Sequence, residues 1–349
     1  MNPSKTFTRK LDIARGHVDL SHGAGGRAMA QLIAEIFVKA FDNPLLARGD
    51  DQAAFDVPRG RMVMTTDSYV VSPLFFPGGD IGSLAVHGTI NDIAMAGAQP
   101  LYLSAGFIIE EGFPLRELAR IATSMGDASR AAGVPIVTGD TKVVERGKAD
   151  GVFISTSGVG LVPEGIDLSG DRARPGDRVL VSGTIGDHGV AIMSKRENLS
   201  FETEIRSDSA ALHEVVAEVV GAARGSLRLM RDPTRGGLAA TLNEIAQQSG
   251  VGIVIDENAL PVKPQVAAAC ELLGLDPLNI ANEGKLVAIV APEAADATLA
   301  ALKSHPLGRD AAIVGVVAED EYRFVQMRTT FGGNRVIDWI ASEQLPRIC

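Results

Sequence analysis

The most unusual reactive group in the sequence is the thiol of Cys349, the last residue. Free cysteine usually behaves as a small buried hydrophobic residue, whereas a chain end is usually exposed, so neither packing nor disorder alone explains a thiol here. Pro346 fixes its own φ and favours an extended Leu345, which predicts an arm rather than a helix end. Such an arm can carry its thiol to a site elsewhere in the chain. The alternative is a terminal cysteine without a function.

Acidic residues in the first half share a pattern, because each lies beside glycine, threonine or asparagine at the predicted end of an element. They are Asp50 with Asp51, Asp67, Asp92 and Asp140. Mg²⁺ binds one or two carboxylates together with waters and substrate phosphates, so scattered aspartates suit a metal-bound nucleotide. The alternative is local hydrogen bonding at turns and helix caps, where aspartate is common. The sequence contains no CxxC or HExxH motif, which disfavours a zinc site.

A glycine-rich turn, SHGAGG at 21–26, leads into a segment whose apolar residues recur at helical spacing. The backbone N–H groups of Gly23, Gly25 and Gly26, at the positive end of a helix dipole, would suit a phosphate. His22 in this turn either contacts the phosphate or caps the loop. A plain loop is the alternative, since the sequence has neither a Walker A nor a GxGxxG pattern.

Two further side chains have the chemistry of proton transfer. Lys142 follows Asp140 by two residues, where it could neutralise phosphate charge or transfer a proton, although most lysines are solvated surface groups. Glu283 lies in a loop that enters a predicted strand, where its carboxylate could act as a base. The alternative for Glu283 is an ordinary surface loop residue.

The length, composition and net charge of the chain restrict the class of protein. With 349 residues, 46% of them hydrophobic, the chain is long enough for two buried cores. Its net charge of -10 disfavours nucleic acid and anionic membranes as partners. Two cysteines disfavour a disulfide framework. No apolar run is long enough to span a bilayer or to serve as a signal peptide, so we expect the cytoplasm and no membrane partner.

Helical and strand patterns alternate through both halves, which predicts a layered α/β (α+β) architecture. We predict an N-terminal arm at 1–20 and a first domain at 21–162. Glycines, prolines and charges then cluster in a linker at 163–177. A second domain at 178–328 and a tail at 329–349 complete the prediction.

Motifs along the whole chain, taken in order, closely resemble the HypE family of hydrogenase maturation factors. They are HGAGG at 22–26, GDDQAAF at 49–55, TTDSYVVSPLFFPGGDIG at 65–82, NDIAMAGAQP at 91–100, TGDTKVV at 138–144, RDPTRGG at 231–237, NEGK at 282–285 and PRIC at 346–349. The glycine and aspartate motifs are shared with the wider PurM-like, or aminoimidazole ribonucleotide synthetase, superfamily and indicate only fold and ATP use. The terminal PRIC is the specific motif.

The resemblance implies a two-domain PurM-like fold. Its N-terminal sheet-and-helix domain would pair with a copy of itself in a homodimer, its C-terminal domain would be α/β, ATP would lie between the domains, and the C-terminal tail would be flexible. HypE proteins receive a carbamoyl group on the terminal cysteine from the carbamoyltransferase HypF and dehydrate it with ATP to a thiocyanate. The cyanide then passes to iron in the HypC–HypD complex during maturation of [NiFe]-hydrogenase.

Carried onto this sequence, the resemblance makes Cys349 the carrier thiol and Lys142 with Glu283 the proton-transfer pair. The implied ligands of magnesium are Asp51, Asp67, Asp92 and Asp140. The implied nucleotide- and phosphate-binding residues are His22, Gly23, Gly25, Gly26, Thr66, Asn91, Thr141 and Asp232.

Two other classes of function stay open. One is the small-molecule branch of the superfamily, such as thiamine monophosphate kinase or selenophosphate synthetase, which needs no terminal thiol. The other is a thiol carrier that binds nucleotide without hydrolysing it.

Overall fold

The computed structural model describes residues 10–24, 26–48, 50, 52–197, 204–223, 225–339 and 347–349. The predicted site residues Gly25 and Asp51, and the predicted arm residues Leu345 and Pro346, lie outside these ranges. Two sheets organise the described residues, one of four strands and one of seven. No described helix combines the length and the apolar character needed to cross a membrane.

The helices are α1 (Arg27–Leu32), α2 (Lys39–Phe41), α3 (Ile81–Met95), α4 (Leu115–Ala132), α5 (Asp187–Arg196), α6 (His213–Ala223), α7 (Gly237–Ser249), α8 (Pro264–Leu273) and α9 (Ala295–Ser304). A π-helical segment, Ile33–Val38, joins α1 to α2. The strands are β1 (Arg61–Tyr69), β2 (Phe75–Phe76), β3 (Gly79–Asp80), β4 (Gln99–Glu110), β5 (Ile136–Val144), β6 (Val152–Val162), β7 (Arg178–Val181), β8 (Leu227–Arg231), β9 (Gly252–Asp256), β10 (Val287–Val290), β11 (Ala312–Ala318), β12 (Val325–Arg328) and β13 (Asn334–Ile337).

The first sheet has the order β1-β6-β4-β5, with β4 and β5 parallel and the other neighbours antiparallel. Helix α3 packs on one face of this sheet and is buried along most of its length, because α4 and α6 also pack on it. Asp80 begins α3 by accepting hydrogen bonds from the N–H groups of Gly82 and Ser83. Gly160 lets the helix approach β6, since a Cβ there would lie 2.3 Å from Ile93.

The other face of the first sheet carries mostly exposed or half-buried side chains, and we call it the open face. It is formed by Met62, Met64, Thr66 and Ser68 of β1, Ser155 and Ser157 of β6, Ile108 of β4, and Asp140 and Lys142 of β5. The alternation of the two faces follows from the two-residue period of a strand. Within the described residues, no strand pairs with the outer edge of β1 or of β5.

The second sheet has the order β13-β12-β9-β11-β7-β10-β8 and is antiparallel except for the β12–β9 pair. Its helices α5 and α8 contribute apolar side chains to the core of the first domain, including Val190 and Val266. Ile348 from the tail belongs to the same hydrophobic cluster. Burial of apolar surface therefore joins the two domains and the end of the tail into one packed unit.

The two-sheet α/β architecture confirms the predicted fold class. Two stretches differ from what their patterns predict. Residues 334–337, within the predicted tail, form β13 and pair with β12. The described part of the predicted N-terminal arm packs on the first domain, where Val18 is buried and His17 forms a β-bridge with Pro114.

Candidate active site

The last three residues, Arg347–Cys349, lie in a groove between the two domains. The N–H group of Val70 donates to the carbonyl of Cys349 at 3.2 Å, and the N–H group of Ser72 donates to that of Arg347 at 3.0 Å. These two backbone bonds tie the tail to residues 70–72, although Arg347 itself has a positive φ of 57° and is not extended. The Ile348 side chain points into the shared core and is only 3% exposed. Backbone pairing and apolar burial together fix the position of the terminal thiol.

Side chains of the second domain bind the same stretch of tail. The His188 ring, through Nε2, lies 2.8 Å from the carbonyl oxygen of Ile348, and the Arg196 guanidinium donates to the carbonyl of Arg347 at 2.8 Å. The guanidinium of Arg347 forms an ion pair with Asp150 of the first domain. The tail is therefore held by both domains.

The thiol of Cys349 lies beside the buried carboxyl group of Glu283, and each group affects the pKa of the other. Burial, followed by the proximity of Glu283, raises the pKa of Cys349 well above its usual range. Burial, followed by repulsion from Asp232, Asp208 and Asp67, likewise raises the pKa of Glu283. Glu283 is 4% exposed, and its Oε1 atom has no hydrogen-bond partner among the described residues. The site thus brings a thiol against a carboxyl group, and burial favours the protonated form of both.

The loop that carries Glu283 is fixed through its backbone. The N–H group of Glu283 donates to Asp208 Oδ1 at 3.0 Å, and its carbonyl accepts from the Asn91 amide at 3.2 Å. The Asn91 amide also accepts from the N–H group of Leu212 at 2.8 Å. Asn91, a predicted nucleotide-binding residue, therefore ties helix α3 to the loop that carries Glu283.

Three aspartates surround this pair. Asp67 accepts a hydrogen bond from the Tyr69 hydroxyl at 2.8 Å, and Asp92 accepts one from the Thr65 hydroxyl at 2.7 Å. Burial is the main cause that raises the pKa of Asp92, and burial together with the charge of Asp92 raises the pKa of Asp232 to about 7. The carboxylates therefore repel one another, and a cation would relieve that repulsion.

Magnesium fits this arrangement only as an ion that arrives with its own ligands. Within the described ranges, no three or more His, Cys, Asp or Glu side chains are placed to hold a metal ion together. Mg²⁺ does not require such a cage, because it keeps waters and shares substrate phosphates with one or two carboxylates. Asp67 and Asp92, which interact electrostatically, are suited to that role.

A second group of predicted site residues lies on and around β5. Lys142 and Asp140 form an exposed ion pair at 2.9 Å on the open face. The sheet register sets Asp140, Gly106, Ser155 and Ser68 in one row across four strands. Three strand spacings separate the ends of this row by about 14 Å. Asp67 faces the covered side of the sheet, so within one chain Lys142 does not lie beside Glu283.

The glycine-rich turn packs against the same strand. A Cβ at Gly23 would lie 2.7 Å from the backbone nitrogen of Val143, so only glycine permits this approach. His22 is buried and accepts a hydrogen bond through Nδ1 from the N–H group of Asp19 at 3.1 Å, which makes it a cap of its own turn in this structure. Gly26 precedes α1, and the space around its Cα is open.

The structure divides the predicted site residues into two sets. Cys349, Glu283, Asp67, Asp92, Asn91 and Asp232 meet between the domains, whereas His22, Gly23, Gly26, Thr66, Asp140, Thr141 and Lys142 lie on β5, the open face and the turn. The Thr66 hydroxyl donates a hydrogen bond to the carbonyl of Thr156. Thr141 is buried on the face of the sheet opposite the open face.

Sequence reasoning missed Tyr69, His188 and Asp208. Tyr69 is buried with its hydroxyl on Asp67, and Asp208 lies on the N–H group of Glu283. Tyr69 stands within the TTDSY motif, two residues after Asp67. This proximity in the sequence was the one available signal that Tyr69 belongs to the site. His188 follows Asp187 at the start of α5, and Asp208 follows Ser207 in an irregular segment, and neither position carries a sign in the sequence of what the side chain contacts.

Comparisons with known proteins identify the family. The profile of the AIR synthase related protein N-terminal domain matches residues 49–162, and that of the C-terminal domain matches residues 174–328. Carbamoyl dehydratase HypE of Rhizobium leguminosarum bv. viciae is 73% identical over 345 residues, covering 99% of each chain. Carbamoyl dehydratase HypE of Escherichia coli K12 is 49% identical over 341 residues, covering 95% of this chain and 99% of that protein.

Solved structures agree. A crystal structure of hydrogenase maturation protein HypE in complex with ATP superposes with a TM-score of 0.91 at 51% identity, covering 95% of this chain and 99% of that one. HypE from a HypE–HypF complex superposes with a TM-score of 0.78 at 50% identity, covering 88% and 99%. The two-domain fold, the seated thiol and these similarities together show that the chain belongs to the HypE family of carbamoyl dehydratases.

Proposed function

We propose that the chain uses ATP to dehydrate an S-carbamoyl group on its own Cys349, which yields a thiocyanate and supplies cyanide for [NiFe]-hydrogenase maturation. The observation that carries the proposal is the Cys349 thiol held against the buried Glu283 carboxyl group and near Asp67. A carbamoyl group on this sulfur would lie where a base and a set of carboxylates converge. A small-molecule kinase needs no thiol of its own in that position.

The chemistry balances without an oxidant or reductant. The carbamoyl oxygen attacks the γ-phosphorus of ATP, and the bond from phosphorus to ADP breaks. The oxygen, a poor leaving group as an amide, then departs as part of inorganic phosphate, while the two nitrogen protons are lost and the C≡N bond forms on sulfur. Because the carbamoyl group is anchored on the enzyme's own chain, the step is intramolecular and gains effective concentration.

Glu283 is suited to accept a nitrogen proton. Burial and neighbouring aspartates raise its pKa, and a carboxylate of raised pKa is a stronger base once it is ionised. Binding of a cation among Asp67, Asp92 and Asp232 would favour that ionised form. We propose Mg²⁺ with ATP as this cation, which would supply electrostatic stabilisation of the phosphoryl charge. The ATP complex of a HypE relative supports the nucleotide.

Phosphate release tests the proposal against a thiol carrier that does not hydrolyse ATP. We expect ATP hydrolysis only when Cys349 carries a carbamoyl group, at one phosphate per thiocyanate formed. The Cys349→Ala variant, treated in the same way, should release phosphate at the background rate. Equal hydrolysis by carbamoylated and free chains would contradict the proposal.

We propose a homodimer formed through the open face and the edges of the first sheet. Met64 on this face is 74% exposed, and Met62 and Ile108 are also exposed. Unpaired edge strands such as β1 and β5 are natural points of association. A second copy could bring its β5, with Asp140 and Lys142, beside β1 of the first. A role for Lys142 in proton transfer or phosphate binding depends on that second copy, because within a single chain Lys142 does not lie beside Glu283.

A charge on the open face tests the dimer. Replacing Met64 by glutamate should weaken self-association by at least about 100-fold, because burial of an unpaired carboxylate costs several kcal/mol. Sedimentation velocity over a range of concentrations measures this. Leu272, 69% exposed on α8 of the second domain, is the matched control, and Leu272→Glu should leave association unchanged. Equal behaviour of the two variants would exclude the open face as the interface.

Partners and compartment follow from the same chemistry. A HypE relative of 50% identity is solved in complex with HypF, which supports HypF as the carbamoyl donor for this chain. We propose the HypC–HypD complex as the cyanide acceptor, since the thiocyanate needs an iron-bearing recipient. We place the reaction in the cytoplasm, where ATP is available and a free thiol persists.

A further inference from the structure

His188 is a fully buried histidine that the proposed chemistry does not use. It is 0% exposed, and its ring lies edge-on to Phe76 with centroids 5.6 Å apart. Nε2 is 2.8 Å from the carbonyl oxygen of Ile348, and Nδ1 is 2.8 Å from the Ser207 hydroxyl. A carbonyl only accepts hydrogen bonds, so Nε2 carries the proton that lies between the ring and the tail.

The hydrogen-bond partners of His188 fix its tautomer. Burial lowers the pKa of His188, so the ring is neutral and carries one proton. With that proton on Nε2, Nδ1 accepts from the hydroxyl of Ser207. The ring therefore points a single donor at the backbone of the residue that precedes Cys349.

The same short segment that orients His188 also holds the base. Ser207 contacts the His188 ring, and the next residue, Asp208, accepts the N–H group of Glu283 at 3.0 Å. Asp208 is anchored in turn by an ion pair with Lys285 at 3.2 Å. Displacement of Ser207 and Asp208 would move both the ring that holds the tail and the loop that carries Glu283. The positions of the Cys349 thiol and of Glu283 are therefore coupled.

We propose that His188 is a positioning residue that fixes Cys349 against Glu283 by donating its Nε2 proton to the carbonyl of Ile348. The consequence for dehydration rests on the proposed function, whereas the seating of the thiol does not. Without this bond, the tail keeps its backbone pairing with Val70 and Ser72 but loses one buried donor. One buried hydrogen bond corresponds to about a tenfold change in the equilibrium between the seated and the released tail.

Two polar substitutions separate the two nitrogens of the ring. In His188→Gln the amide nitrogen can reach the position of Nε2 and keep the donor to Ile348. In His188→Asn the shorter amide can reach only the position of Nδ1, near Ser207. Both variants bury a similar polar group, so they differ in the contact with the tail rather than in the cost to folding. His213→Gln is the matched control, because this histidine, at the start of α6, interacts with Glu214 and the backbone of Ala132 rather than with the tail.

The readout is the rate at which a thiol reagent modifies Cys349, located by mass spectrometry of the C-terminal peptide. Cys270 is buried and lies in a different peptide, so it does not interfere. We expect His188→Asn to react about tenfold faster than the parent chain, and His188→Gln and His213→Gln to stay within about twofold. Equal rates for the asparagine and glutamine variants, whether raised or unchanged, would overturn the proposal.

A second measurement tests whether the position of the Cys349 thiol affects the rate of dehydration. In a single turnover with ATP, carbamoylated His188→Asn should lose water about tenfold more slowly than carbamoylated His188→Gln, while loading by HypF is not slowed. If no chain dehydrates the carbamoyl group, the proposed function fails, but the thiol-reagent rates still decide the role of His188. If dehydration proceeds equally in both variants, His188 does not position the thiol for the reaction.

Discussion

Replacing Glu283 by glutamine is expected to slow loss of water from carbamoylated Cys349 by about 100- to 10,000-fold, the usual range for removal of a general base. Glutamine preserves the size of the side chain and the backbone bonds to Asp208 and Asn91 but cannot accept the nitrogen proton. Loading of Cys349 by HypF should continue, because that step takes place on the tail. Intact mass after a single turnover would show a carbamoyl adduct that persists with ATP.

The same substitution should raise stability in a pH-dependent way. The folded pKa of Glu283 lies above its unfolded value of 4.5. Its contribution to stability is therefore fully present below pH 4.5 and is lost as the pH rises towards the folded pKa. Glutamine does not ionise, so Glu283→Gln should melt at a higher temperature than the parent chain at pH 8 and close to it at pH 4.5.

Glu293→Gln, at an exposed carboxylate of the second domain, is the control for this pair of measurements. It should change neither the rate nor the melting temperature. A Glu283→Gln variant that dehydrates the carbamoyl group at the parent rate would show that the base lies elsewhere. One that is less stable at pH 8 would show that the carboxyl group is stabilised rather than strained by its surroundings.

Replacing Gly88 by alanine is expected to damage both the fold and the site. A Cβ at Gly88 would lie 2.1 Å from the hydroxyl oxygen of the buried Tyr69, and that hydroxyl donates to Asp67. The helix or the ring must move, which should lower the free energy of unfolding by about 2 kcal/mol. Displacement of Asp67 should also weaken ATP binding. Thermal unfolding and a nucleotide titration measure the two effects.

A second glycine in a helix serves as the control. Gly221 in α6 has no atom within 4 Å of an added Cβ, so Gly221→Ala should be neutral or stabilise by about 0.5–1 kcal/mol. The double variant Gly88→Ala with Tyr69→Phe removes the clashing hydroxyl and should recover part of the lost stability but not the bond to Asp67. If Gly88→Ala is as stable as Gly221→Ala, the helix and the tyrosine are not packed as described.

Local signals in the sequence were sufficient for many elements. Helix α4 follows from such signals, since Pro114 precedes it, Gly133 with φ of 67° ends it, and its apolar positions recur at helical spacing. Strand β6 is rich in valine, isoleucine and threonine, which favour strands. Local signals are weaker for α6 and β8. Strand β8, LRLMR, is short, and α6 is rich in valine, which favours strands, so packing decides its conformation.

The site was harder to predict because it is assembled across long distances in the sequence. Motif resemblance identified Glu283, Asp67, Asp92 and Cys349 one by one, and the structure brings them together. Spacing cannot show that Asp140 and Asp67 lie on opposite faces of one sheet, because that depends on strand order and register. Consecutive side chains on a helix also point in different directions. Asn91 therefore contacts the loop of Glu283, whereas Asp92 contacts β1.

Intact mass spectrometry tests the central claim most directly. The chain is incubated with HypF, carbamoyl phosphate and ATP, separated from them, and then given fresh ATP with Mg²⁺, beside a Cys349→Ala control. We predict a carbamoyl adduct on Cys349 that loses the mass of one water only in the second incubation, and no adduct on the control. An adduct that stays unchanged with ATP and Mg²⁺ would contradict the dehydratase, and the absence of any adduct with active HypF would contradict Cys349 as the carrier.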